Sequence, residues 1–223
     1  MYNNKPNLVI GFHGCDKSTR DALVFNPQNV KISEEPYDWL GHGFYCWENN
    51  FERARDWAEQ KVKQGKFKDP AVVGAVIDLG YCCDFLDAGH IRLLKDYYEV
   101  MAQSYKESGK PLPVNKNLAR DIYKDKLLRE LDCTVIEYMH TDFCSKYKED
   151  IEHSGMTDSP MFDSVRGVFQ EGGSAFEGSG IREKSHIQLC IRNLNSIKGF
   201  FIPREEKDFY SWNLNKYLQI GEN

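Results

Sequence analysis

Apolar positions along this chain fall into two rhythms, short uninterrupted runs and stripes of helical period. Leu8-Val9-Ile10-Gly11-Phe12 is a run of the first kind and predicts a buried strand ending beside His13 and Gly14. Ser18 to Leu23 suits a short helix with Ser18 as cap, ended by Asn26-Pro27. Residues 51 to 63 place Phe51, Ala54, Trp57, Ala58 and Val62 on one stripe, which predicts a helix covering one face of a sheet, with Asn49 and Glu52 as a capping-box-like start. Ala71 to Leu79 is apolar without alternation between Pro70 and Gly80, as a core strand buried on both sides requires.

Farther along, Ile91, Leu94, Tyr98, Met101 and Tyr105 predict a long helix that Gly109 and the Pro111/Pro113 pair close, with Lys110 to Asn117 as a surface loop. Residues 121 to 140 predict more helix, buried through Ile122, Leu127, Leu128, Leu131, Val135 and Met139. Lys146 to Pro160 is polar and aperiodic and reads as a mobile connection. Val165–Phe169, His186–Arg192 and Ile197–Phe201 read as strands, the first two joined by the glycine-rich loop Gln170 to Lys184. The expected architecture is α+β in a single domain spanning 1–223, with a helical insertion at about 86–145.

At 223 residues the chain is long enough for one sizeable core, and 41% hydrophobic content excludes wholesale disorder. A formal charge of −5 argues against a broadly basic nucleic-acid surface, so any nucleic acid would be gripped locally. Seven cysteines form no paired framework, and several sit in apolar runs, which points to free thiols in a reducing, cytoplasmic setting. Met1 to Pro6 lacks an apolar signal core, and no run approaches the roughly 20 apolar residues of a membrane span.

Candidate chemistry concentrates in two stretches, Ile10-Gly11-Phe12-His13-Gly14 and Leu40-Gly41-His42-Gly43-Phe44-Tyr45. Each sets a polar ring beside glycine at the edge of an apolar segment, where backbone can approach a ligand closely. The order strand, His-Gly, short helix, Gly-x-Gly-Phe-Tyr, helix resembles the NAD-binding half of ADP-ribosyltransferases of the diphtheria-toxin and poly(ADP-ribose) polymerase type. That resemblance implies a split central sheet with NAD in the cleft between its halves. It further implies that His13 bonds a ribose hydroxyl, that the backbone of Gly14 holds the nicotinamide amide, and that Tyr45 stacks on nicotinamide. The late strand His186-Ile187-Gln188-Leu189-Cys190-Ile191-Arg192 matches the family's catalytic strand but offers Gln188 in place of the usual Glu, as in related uncharacterised bacterial members.

The activity so implied is transfer of ADP-ribose from NAD, as substrate, to a protein or nucleic-acid acceptor, with release of nicotinamide. A toxin or phage-defence effector with a neutralising partner protein would fit the same resemblance. Bond cleavage develops oxocarbenium-like positive charge, which an uncharged Gln188 stabilises less than a carboxylate would. Another acid is therefore expected in the glycine-rich loop, Glu171 first and Glu183 second, with Glu177 also within it, acting as base for the incoming nucleophile. Arg166 is a candidate contact for an NAD phosphate. The competing class is a non-catalytic NAD- or nucleotide-binding module that recruits partners through the helical insertion. His42, His186, Cys46 and Cys190 match no common zinc spacing, and a thiol nucleophile at Cys15 beside His13 is the weaker reading of that pair.

Overall fold

The computed structural model describes residues 8–119, 121–157 and 161–204. The Met1–Pro6 stretch and residues 158–160 of the expected connection lie outside the described residues. The described residues form nine strands and four helices, in an α+β arrangement. The strands are β1 (Val9–Asp16), β2 (Phe44–Glu48), β3 (Pro70–Ile77), β4 (Cys82–Asp84), β5 (Asn115–Lys116), β6 (Leu128–Arg129), β7 (Ser164–Phe169), β8 (His186–Ile191) and β9 (Ile197–Phe201). The helices are α1 (Lys17–Phe25), α2 (Phe51–Lys63), α3 (Ala88–Glu107) and α4 (Glu130–Ser154). Seven strands form one mixed sheet in the order β4-β7-β8-β2-β1-β3-β9, and β5 and β6 form a separate small hairpin. Only β4 and β7 run parallel among the described pairs.

Alternation along the strands sends side chains to two cores. One face buries Cys15, Phe44, Cys46, Val73, Ile77, Leu189 and Ile191 together with Leu23 of α1. On the other, α2 packs Ala54 against Trp47 and Val72, while Met139 of α4 joins Leu40, Val165 and Cys190. Gly14 makes the α2 packing possible, because a Cβ there would lie 2.2 Å from the Ala54 carbonyl oxygen. Burial of each large aliphatic side chain contributes about 1.5–3 kcal/mol, so these cores dominate the fold's stabilisation.

Several elements differ from their sequence expectation for identifiable reasons. β1 continues past Gly14 to Asp16, paired residue by residue with β3, so His13 lies within the strand and not at its end. Asp16, not Ser18, caps α1: its Oδ1 accepts from the Ser18 amide at 3.1 Å, and its Oδ2 accepts from the amides of Lys68 and Asp69. These backbone bonds, Lys68 foremost, hold the Asp16 carboxyl down at about 2. Asn50, one residue after the expected cap, starts α2 through a 3.0 Å bond from the Arg53 amide, and Asn49 takes a left-handed turn at φ 48°.

The largest shift is in the insertion. Residues 121–127 are not helical, since Lys124 and Lys126 adopt positive φ of 57° and 52°, and the apolar Leu127 and Leu128 face a cleft in place of a helix stripe. The helix occupies 130–154 and takes in most of the polar segment expected as a connection, ending at the left-handed Gly155 with φ 71°. Its polar stretch is solvated and includes a Lys146–Asp142 pair one turn apart at 2.6 Å. No described helix is long and apolar enough to cross a membrane.

Candidate functional site

The β1–β2 ladder is short. It pairs only Gly11 with Glu48 and Phe12 with Trp47, although β1 pairs with β3 over its whole length. Beyond Phe12 the strands part, and His13 Nδ1 donates to the Tyr45 carbonyl at 2.8 Å where the ladder would otherwise continue. That bond fixes the proton on Nδ1 and leaves Nε2 as an acceptor. Burial pushes the His13 imidazole below its ordinary pKa, partly offset by the Tyr45 bond, so the ring is neutral at pH 7.

A cleft of about 580 Å³ opens at this parting, within the range of small-molecule sites. His13, Tyr45, Gln188 and Glu171 all line it, although they come from four separate segments of the chain. Alternation accounts for the middle of this set: Tyr45 and Trp47 share one face of β2, and His186 and Gln188 share one face of the adjacent β8, with Trp47 opposite Gln188. Arg53 and Trp57 of α2 form one wall; Trp39, Leu127 and Leu128 contribute to the lining from the other segments.

The Tyr45 hydroxyl is fully engaged, donating to the Gly41 carbonyl at 2.7 Å and accepting from the Leu40 amide at 3.0 Å. Burial raises its pKa well above the ordinary phenol value, so it stays protonated. The turn is itself anchored: Glu137 of α4 accepts from the His42 amide at 2.7 Å and pairs with Arg192, whose guanidinium also donates to the His42 carbonyl at 3.1 Å. Tyr45 therefore presents a ring held by its own turn and by the insertion helix.

Gln188 is oriented by a partner the sequence did not reveal. The Trp39 indole donates to Gln188 Oε1 at 2.5 Å, and because an indole N–H only donates, the atom facing Trp39 is the amide oxygen. No described residue accepts from its amide nitrogen, which leaves Gln188 principally a donor toward the cleft. Glu171 is held by Arg53 Nη2 at 2.7 Å across the cleft.

Other expected residues fall elsewhere. Glu183 is exposed and does not line the cleft, and Glu177 is exposed on the same loop. Gly14 is buried on the α2 side of β1, so its lack of a side chain is already required by packing. Arg166 is corrected from phosphate contact to buried structural cation, bonded to Glu48 at 2.6 Å and Asp84 at 3.1 Å. Among the described residues, no group of three or more His, Cys, Asp or Glu is placed to hold a metal ion. Burial raises the Cys15 thiol to about 11, which removes the thiolate a nucleophile needs.

Trp39, Trp47, Arg53, Trp57 and His186 are cleft residues that the motif reading missed. His186 was accessible in principle, lying two positions before Gln188 on a predicted strand, whereas Trp47 sits on β2, over which the sequence pattern predicts no strand. Compared with protein-family models, with curated proteins and with solved structures, the chain matches none.

Proposed function

We propose that this protein transfers ADP-ribose from NAD to a macromolecular acceptor and releases nicotinamide. The observation that carries the reading is the meeting of His13, Tyr45 and Gln188 around one cleft at the place where β1 and β2 diverge. A sheet parted there corresponds to the split core of ADP-ribosyltransferase-like folds. Tyr45 supplies an aromatic face for the nicotinamide ring, worth about 0.5–1.5 kcal/mol beyond its buried area. His13, neutral and with a fixed tautomer, offers Nε2 to a ribose hydroxyl. Gln188, aligned by Trp39, orients the ribose through its amide N–H groups. Glu171 places a carboxylate on the same cleft, where its charge stabilises the developing oxocarbenium ion.

One observation favours a second reading. Glu171 is already engaged by Arg53 and Gln188 is uncharged, so neither position expected to stabilise the ribosyl cation offers an unshared negative charge, although Glu35 and Asp38 also line the cleft. A non-catalytic NAD-binding module would have this composition. Incubation of the full chain with labelled NAD, followed by separation of protein, RNA, DNA and free nicotinamide, distinguishes the two. Label in a macromolecular pool with released nicotinamide supports transfer, and binding without release supports the module. Tyr45→Ala, with its melting temperature measured alongside, is expected to abolish the release. Unchanged turnover would remove Tyr45 from the site.

A further inference from the structure

The end of the cleft beside β8 contains polar atoms that the reading above does not use. His186 is 7% exposed and Trp47 5% exposed, and both line the cleft. His186 Nε2, Trp47 Nε1 and Arg53 Nε are buried without a hydrogen-bond partner among the described residues. Three orphaned polar atoms on neighbouring walls of one cavity are costly unless something that enters the cavity satisfies them.

Their roles follow from their chemistry. His186 Nδ1 lies 2.7 Å from the Lys184 carbonyl, which can only accept, so Nδ1 carries the proton and Nε2 carries the lone pair. The ring is fixed on its other sides by stacking on Phe169 at 5.6 Å and 11° and by Trp47 at 6.1 Å. The groups facing it are thus Phe169 from β7, Trp47 from β2, the Lys184 carbonyl from the loop before β8, and the charge of Arg53 from α2, itself paired with Glu171. Burial, opposed by the Lys184 bond and assisted by Arg53, lowers the imidazole to about 4. The base form is therefore the resting form at neutral pH. Gln188 lies two residues along the same strand face, at the position assigned to the ribose.

We propose that His186 Nε2 is the general base for the acceptor, taking the proton from a neutral O–H nucleophile while one of the two donors, Trp47 Nε1–H or Arg53 Nε–H, bonds the oxygen lone pair that does not attack and the other bonds a neighbouring acceptor atom of the same substrate. This rests on the ADP-ribosyl transfer reading and assigns the proton to His186, leaving Glu171 its electrostatic role. In the step, the X–H proton passes to Nε2 and the X electron pair forms a bond to ribose C1. The C1–N bond to nicotinamide breaks, nicotinamide leaves with that electron pair, and the imidazolium then returns its proton to solvent. A guanidinium or ammonium acceptor is disfavoured, because two of the three orphaned groups are donors and one belongs to Arg53. A carboxylate acceptor is disfavoured because it has no proton to give.

His186→Asn tests this in the full chain, since the Asn amide can keep a donor toward the Lys184 carbonyl while removing the Nε2 lone pair. NAD binding and nicotinamide release, with water as the nucleophile, are measured for wild type and variant from pH 4 to 8. Expected is retained NAD affinity, a fall in release of about 100-fold, and loss from the variant of the decline that the wild type shows as pH approaches about 4. The wild-type profile gives this readout even if the variant folds poorly: release that stays flat down to pH 4 overturns the assignment. A variant that keeps its rate within threefold overturns it as well, while leaving ADP-ribosyl transfer intact. A wild type that neither binds NAD nor releases nicotinamide overturns the transfer reading itself and this assignment with it.

Discussion

Replacing Gln188 by Glu restores a carboxylate beside the ribose, and the structure indicates what that should do. Gln188 Oε1 already accepts from Trp39 Nε1 at 2.5 Å, a contact that a Glu oxygen reproduces and that an ionised acceptor strengthens. No described residue accepts from the Gln188 amide nitrogen, so the exchange breaks no described protein hydrogen bond. The gain lies in the transition state. A full negative charge about 4–8 Å from the ribosyl cation, at an effective dielectric constant of about 20, is worth about 4 to 2 kcal/mol. Even the lower figure corresponds to about 30-fold in rate. Nicotinamide release from NAD, measured at saturating NAD with binding measured separately, is therefore expected to rise at least tenfold in Gln188→Glu. A variant that folds and binds NAD as the wild type does, yet releases nicotinamide no faster, would refute the placement of position 188 beside the reacting carbon.

Two further outcomes follow from the packing and the buried histidines. Gly14→Ala puts a methyl 2.2 Å from a backbone oxygen of α2, so it should destabilise by about 1–3 kcal/mol and lower Tm by several degrees in calorimetry; an unchanged Tm would mean that Gly14 serves only a ligand. His140 and His186 are held by burial at about 3 and about 4, below the ordinary 6.5, so as pH falls below 6.5 the unfolded chain takes up protons that the native state refuses. Their contribution is complete above pH 6.5 and is lost as pH falls toward 4 and then 3, at up to about 1.4 kcal/mol per pH unit for each group. Urea unfolding at pH 7 and pH 5 should differ by a few kcal/mol, and equal stabilities would contradict the burial of both rings.

Local pattern carried the frame of the fold further than the details of the site. The continuous run at 71–79, the stripe at 51–63 and the strands near 165, 186 and 197 are visible because burial on one or both faces imposes a period on the sequence. The alternation that places Gln188 with His186 is of the same kind, whereas the one that places Tyr45 with Trp47 lies on β2, over which the sequence pattern predicts no strand. The pairs that determine what these residues can do are not periodic. Trp39 reaches Gln188 across 149 residues and Arg53 reaches Glu171 across 118, and neither pairing leaves a trace in either local neighbourhood. The insertion misled for another reason. Leu127 and Leu128 are apolar because they line the cleft, which mimics a helix stripe, while the polar residues after 145 are helical on an exposed surface where no apolar period is required.

Everything proposed for this cleft depends on NAD occupying it in one orientation. The direct measurement is an experimental structure of the protein with NAD, or with a non-hydrolysable analogue, bound at saturating concentration. The account predicts the nicotinamide ring against Tyr45, a ribose hydroxyl within hydrogen-bond distance of His13 Nε2, and ribose C1 between Gln188 and His186. A dinucleotide bound outside the parting of β1 and β2, or a cleft that stays empty in saturating NAD, would contradict it.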